Sequence, residues 1–133
     1  MGQMGWAGVL IPEEHGGSAF GYLSLGLVLE QLGRNLAASP LASTAVAASA
    51  IVMGGSDAAK SAWLPKLADG SAIATLAVDE GPRHDMQISA SVNDGKLTGT
   101  KKFVAEGDTA DVFVVAASDG LYLNPAKMAL KNF

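Results

Sequence analysis

The carboxylates best placed for chemistry are Glu13, Glu14, Asp79, Glu80 and Asp85, and only His15 and His84 offer an imidazole. A carboxylate poised over an activated carbon can remove a proton, provided that it is held out of water and within hydrogen-bond reach. Exposed on a surface or in a turn, the same group stays solvated and structural, which is the commoner fate of Asp and Glu. The triplet Arg83-His84-Asp85 has two side-chain donors that could grip an anion, or it forms an exposed loop. The absence of cysteine removes thiolate catalysis, disulfides and Cys-based metal sites. None of these groups is assigned as a catalytic base, and no metal site is expected.

The chain that must position these groups has 133 residues, 13.5 kDa, and a net charge of −4. That length can bury one ordinary core. Nine basic residues, adjacent only at Lys101-Lys102, with a pI near 4.9, give no footprint for nucleic acid. Met1-Gly2-Gln3-Met4-Gly5-Trp6 lacks the basic and apolar regions of a secretory signal, so a cytoplasmic protein is expected. The Ala-rich run Leu36 to Met53 carries Ser39, Pro40, Ser43, Thr44 and Ser49, which argues for close-packed helices and against a membrane span.

The first half reads as helical. From Ser18 to Leu36, Leu25, Val28, Leu29, Leu32 and Leu36 recur at helical spacing, and Glu30, Gln31, Arg34 and Asn35 take the other face. Ser18 is the expected N-cap. A second helix opens with Ser39 as N-cap and Pro40 at its first position and stops at Gly54-Gly55. A third starts at Ser56-Asp57 and runs toward Pro65, after which Lys66 to Gly70 turns the chain. Trp6 and Trp63 are expected as core anchors.

Beyond Gly70 the apolar period becomes alternating. Ala72 to Asp79 and Met86 to Asn93 read as strands, Asn93-Asp94-Gly95-Lys96 as a tight hairpin, and Lys96 to Ala105 as its return strand. Ala110 to Ala117 reads as a buried strand, Ser118-Asp119-Gly120 as a turn and Leu121 to Leu123 as a further strand. The fold class is therefore α+β: an N-terminal helical segment, then an antiparallel β segment forming part of a barrel.

Two motifs at a characteristic separation carry a family resemblance. Gly5-Trp6-Ala7-Gly8-Val9-Leu10-Ile11-Pro12-Glu13-Glu14-His15-Gly16-Gly17 is followed by Glu30-Gln31-Leu32-Gly33-Arg34, and together they resemble the acyl-CoA dehydrogenase flavoenzymes. Trp63-Leu64-Pro65-Lys66-Leu67-Ala68-Asp69-Gly70 is similar to that family's link between its helical and β domains. The resemblance implies a partial N-terminal helical domain over residues 1–70, a partial middle β domain over 71–123 and an unmatched tail over 124–133. It also implies FAD as cofactor, or none in so divergent a chain, and an acyl-CoA thioester as substrate.

The flavin residues implied by the resemblance are Asp79, Glu80, Phe103, Val104 and Ala105. Asp79-Glu80-Gly81 stands where the family has Thr/Ser-Glu-Pro, whose hydroxyl and main chain hold the flavin's pyrimidine edge. A carboxylate only accepts, so Asp79 opposite a flavin carbonyl would set two acceptors against each other. Gly99-Thr100-Lys101-Lys102-Phe103-Val104-Ala105 matches the family's second flavin segment, with Phe103 in place of the Trp that packs on the isoalloxazine and Ala105 in place of a threonine facing the reactive edge. The family's catalytic carboxylate belongs to a C-terminal helical domain with no counterpart in these residues. Two functions follow. One is an acyl-CoA dehydrogenase relative, inactive alone, as a slice of a larger product or as a subunit completed by a partner. The other is a non-catalytic oligomerising module that has lost flavin. Self-association as a dimer through the apolar helical faces is expected in either case.

Overall fold

The computed structural model describes residues 5–81 and 87–125. Three α-helices, α1 (Gly21–Arg34), α2 (Leu41–Gly54) and α3 (Asp57–Ala68), precede five strands: β1 (Ala74–Ala77), β2 (Ser91–Asn93), β3 (Lys96–Thr98), β4 (Val112–Ala117) and β5 (Gly120–Pro125). The helical segment followed by a β segment is as the sequence indicates.

The N-terminal motif folds back on itself. Ser18 N–H donates to Gly8 O, Ala19 N–H to Ile11 O and Phe20 N–H to Val9 O, at 2.9, 3.1 and 2.8 Å. Gly17 lies so close to Ile11 that a Cβ there would stand 1.9 Å from the Ile11 carbonyl oxygen, so only glycine closes the turn. This turn corrects the expected start of α1. Ser18 is not the N-cap: residues 18–20 bond to the preceding loop, Ala19 is left-handed at φ 50°, and the helix opens after Phe20 with no side-chain cap.

At the other end of α1, Leu36 was expected on the apolar stripe but takes φ 49° and is 92% exposed, because the chain has left the helix by then. Leu25, Val28, Leu29 and Leu32 do share a half-buried face, while Glu30, Gln31, Arg34 and Asn35 are exposed. Arg34 Nη2 donates to Glu30 Oε1 at 2.6 Å on that outer face.

Helix α2 begins one residue later than expected, with Pro40 at its N-cap position and Ser39 Oγ accepting from Leu41 N–H at 3.2 Å. Its small side chains let it lie against β1 and β4, burying Ala45, Ala47, Ala48 and Ile51. Thr44, also buried, accepts from Ala74 N–H at 3.4 Å and so joins helix to strand. Helix α3 is capped by Ser56, whose Oγ accepts from Ala59 N–H at 3.2 Å, and it continues through Pro65 to Ala68. The continuation is tolerated because Pro65 is exposed and the carbonyl four residues back belongs to exposed Ser61. Ile11, Ile51, Leu64, Leu67, Ala74, Val112 and Val114 make one core. Trp6 and Trp63 are only half-buried, and Trp63 packs at the core's edge with Lys66 Nζ 5.1 Å from its ring centroid.

The strands are shorter than alternation alone suggests. β1 runs parallel to β4, pairing Ala74 with Val112 and Ala77 with Val115, so the β segment is mixed where antiparallel pairing was expected. The reason is connectivity: a parallel pair needs a long crossover, and residues 78–111 supply it. β4–β5 and β2–β3 are antiparallel, in sheets ordered β1-β4-β5 and β2-β3. The hairpin turn has Asp94 and Gly95 at φ 51° and 73°, as its residues dictate. Asn124 and Pro125 extend β5 beyond Leu123 to pair with Phe113 and Val112.

Two expected strands are largely replaced. Residues 87–90 are not strand, because Ser89 and Ala90 give their N–H groups to the Glu80 carboxylate. Residues 99–105 are not the return strand: Phe103 and Glu106 are left-handed at φ 55°, and Gly107 N–H donates to Val104 O at 3.2 Å in a turn.

Candidate functional site

The end of β1 and the turn that replaces the return strand lie side by side. Lys102 N–H donates to Asp79 O at 2.7 Å. Lys101 Nζ donates to Val78 O at 3.1 Å and to Glu80 Oε1 at 2.6 Å. Buried Thr75, on β1, donates its hydroxyl to Ala105 O at 2.7 Å. Residues 75–80 and 101–105 are thus stitched along their length, so all five residues expected at the flavin are brought into one neighbourhood.

Their side chains differ in what they offer. Phe103 is 72% exposed, a ring held out to solvent on a left-handed backbone. Val104 is half-buried and Ala105 is exposed. Asp79 is half-buried, with its carbonyl engaged by Lys102. Glu80 turns inward: Oε1 accepts from Ala90 N–H at 2.9 Å and from Lys101, and Oε2 accepts from Ser89 N–H at 2.8 Å and from Ser89 Oγ. The Lys101 and Glu80 side chains are only 9% and 12% exposed. Lys101 above all, then the Ser89 hydroxyl and the two main-chain donors, hold the Glu80 carboxyl down at about 2.

Of the other candidate carboxylates, Glu13 and Glu14 are exposed on a short 3-10 turn, and His15 Nε2 stands 3.7 Å from Glu14 Oε1. His84, Asp85 and the Arg83-His84-Asp85 triplet lie outside the described residues. Among the described residues no group of three or more His, Asp or Glu could hold a metal ion, and no helix is long and apolar enough to cross a membrane. A separate apolar groove of about 340 Å³ is lined by Trp6, Leu27, Val28, Gln31, Leu32 and Asn35.

Sequence reading passed over Thr75, Ser89 and Lys101. The lysine of the Gly99-Thr100-Lys101 motif was the one available signal, since a lysine is covered only when it is paired.

Some of what a flavin would need is present and some is missing. An exposed aromatic ring and a turn fixed against a strand end suit a planar ring system. No side-chain hydroxyl stands at 79 or 105 to complete the hydrogen bonding.

Comparison with known proteins places the sequence and the fold in a family. Residues 1–71 match the family described as Acyl-CoA dehydrogenase, N-terminal domain. The chain is 32% identical to the mitochondrial isovaleryl-CoA dehydrogenase of Pongo abelii, across 100% of this chain and 34% of that protein. Among solved structures it is similar to the ChsE4-ChsE5 complex from Mycobacterium tuberculosis, at 33% identity and a TM-score of 0.80 over 94% of this chain and 36% of that one. It is also similar to an acyl-CoA dehydrogenase complexed with FAD from Bacillus anthracis, at 28% identity and a TM-score of 0.70 over 93% of this chain and 24% of that one. The chain spans about a third of the length of the curated relatives it matches. With more than half of its residues under the family profile and its fold shared with these structures, the chain belongs to the acyl-CoA dehydrogenase family.

Proposed function

We propose that these residues form the flavin-facing part of an FAD-dependent acyl-CoA dehydrogenase, which removes hydrogens from the α and β carbons of an acyl-CoA thioester. Residues 1–70 would belong to its helical domain and 71–123 to its β domain. The observation that carries this reading is the stitching of residues 75–80 to 101–105, which brings together the two segments that hold Asp79, the exposed ring of Phe103, Val104 and Ala105. Phe103 would stack on the flavin, and the main chain of 79 and 104–105 would border its edge. FAD, when bound, supplies the acceptor for the hydride from the β carbon.

The described carboxylates are poor bases for the α proton. Glu80 is fully engaged and held well below neutrality, and Glu13 and Glu14 are solvated. The 133-residue chain alone is therefore expected to bind flavin weakly and to turn over no acyl-CoA, since loss of a general base costs about 10²–10⁴-fold. The test is a flavin titration followed by an assay with an artificial electron acceptor. A colourless protein that takes up no FAD would overturn the reading.

The second reading, a non-catalytic oligomerising module, is favoured by α1, none of whose residues is buried and whose Leu23 is 81% exposed. Self-association and a cytoplasmic location belong to the proposal under either reading. A colourless, self-associated protein supports the second.

A further inference from the structure

Glu80 lies within the segment assigned to the flavin, yet its carboxylate is occupied inside the protein. An ionised carboxylate presents about four acceptor sites on its two oxygens. Four donors fill them: Ala90 N–H and Lys101 Nζ on Oε1, Ser89 N–H and Ser89 Oγ on Oε2. No acceptor site is left for a flavin donor. The aromatic ring of the site stands two residues beyond Lys101, on a backbone at φ 55° that a bulky residue rarely adopts. Such a conformation persists only where its surroundings over-determine it. Those surroundings are symmetric about Phe103: Lys101 is fixed two residues before it, and the Ala105 carbonyl is held by Thr75 two residues after it.

We infer that Glu80 and Lys101 are positioning residues and not flavin ligands, their ion pair fixing the 101–105 turn against the end of β1 so that Phe103 is presented to the cofactor. The inference rests on the flavin reading for its purpose but not for its geometry. Lys101 reaches Val78 O with the same ammonium, and the next residue's N–H takes Asp79 O, so loss of the ion pair frees both ends of one short ladder. Through Ser89 and Ala90 the same carboxylate also sets residues 89–90, and Ala90 O accepts from Ser118 N–H at 2.8 Å just beyond β4. One carboxylate therefore ties three separate stretches of chain into a single frame.

The experiment compares Glu80→Gln, Lys101→Met, the double variant and Lys101→Arg with the unaltered chain by amide hydrogen exchange and by FAD titration. Each single variant should speed exchange at Lys102, Ser89 and Ala90 by about tenfold or more while Val114 and Val115 in β4 keep their protection. The double variant should lose little beyond either single one, and Lys101→Arg should retain most of the protection. FAD affinity should fall by about tenfold in the singles, in step with the exchange. Unchanged exchange at Lys102 overturns the inference, as does exchange that rises equally in β4, or FAD affinity that is unchanged when the turn has loosened. If the unaltered chain takes up no FAD, the flavin reading fails by itself, and the exchange data still decide whether the ion pair holds the turn. Should Glu80→Gln not fold, Ser89→Ala removes one hydroxyl donor and must still loosen residues 89–90 and Lys102 selectively.

Discussion

Lys101 Nζ lies 2.6 Å from Glu80 Oε1, and both side chains are nearly covered, so the two segments proposed to flank a flavin meet across an ion pair shielded from water. A shielded pair is fixed in geometry and costly to break singly, because the remaining charge is left without its partner. The relationship ties the turn at 101–105 to a residue three positions beyond the end of β1.

Acid should weaken this frame within a defined window. The folded pKa of Glu80 is depressed to about 2 from an ordinary 4.5. A depressed carboxylate contributes stability that is fully present above the unfolded pKa and is lost as pH falls through the folded one. Denaturant unfolding of the natural chain and Glu80→Gln should therefore differ most at neutral pH and converge between about 4.5 and about 2. A difference that stays constant across that window would assign the effect to packing.

Gly17→Ala should destabilise the N-terminal turn. The added methyl would meet main-chain atoms of Ile11, which cannot swing aside as a flexible side chain can. Overpacking of this kind costs typically about 1–3 kcal/mol. The thermal midpoint should fall accordingly, and the neighbouring Gly16→Ala, at φ 82° but with open space around its Cβ, separates backbone strain from collision.

Replacing Asp79 and Ala105 by Thr together should strengthen flavin binding. Each new hydroxyl supplies one hydrogen bond worth about 1 kcal/mol, and about 1.4 kcal/mol is tenfold in affinity. A gain of roughly tenfold to thirtyfold in a fluorescence titration is the expected result. No gain would mean that groups outside residues 75–80 and 101–105 limit the site.

Sedimentation should show a dimer at micromolar concentration, dissociated by Leu23→Glu with Leu27→Glu. Both leucines are exposed on α1 along with Tyr22, and Phe20 just before the helix is exposed too, a patch that water covers at a cost of about 25 cal/mol for each Å² of apolar surface. A compact monomer in the unaltered chain would rule the interface out.

Local signals determined much of this protein. The small residues of α2, the Ser56 cap, the Asp94-Gly95 turn and the buried run Val112 to Ala117 are written in side-chain size, hydroxyl placement and φ preference, each of which acts over a few residues. The two segments that carry the proposed flavin positions stood out too, as motif residues. What tertiary structure alone decided is where polar groups from distant segments satisfy one another. Ser18 is no cap because residues 18–20 are held to Gly8, Ile11 and Val9, which delays the helix to Gly21. Alternation predicted strands through 87–90 and 99–105, but the Glu80 carboxylate takes the N–H groups of Ser89 and Ala90, and the Thr75 hydroxyl takes the carbonyl of Ala105. The parallel pairing of β1 with β4 arises in the same way, since strand direction depends on a crossover spanning residues 78–111 and not on the composition of either strand.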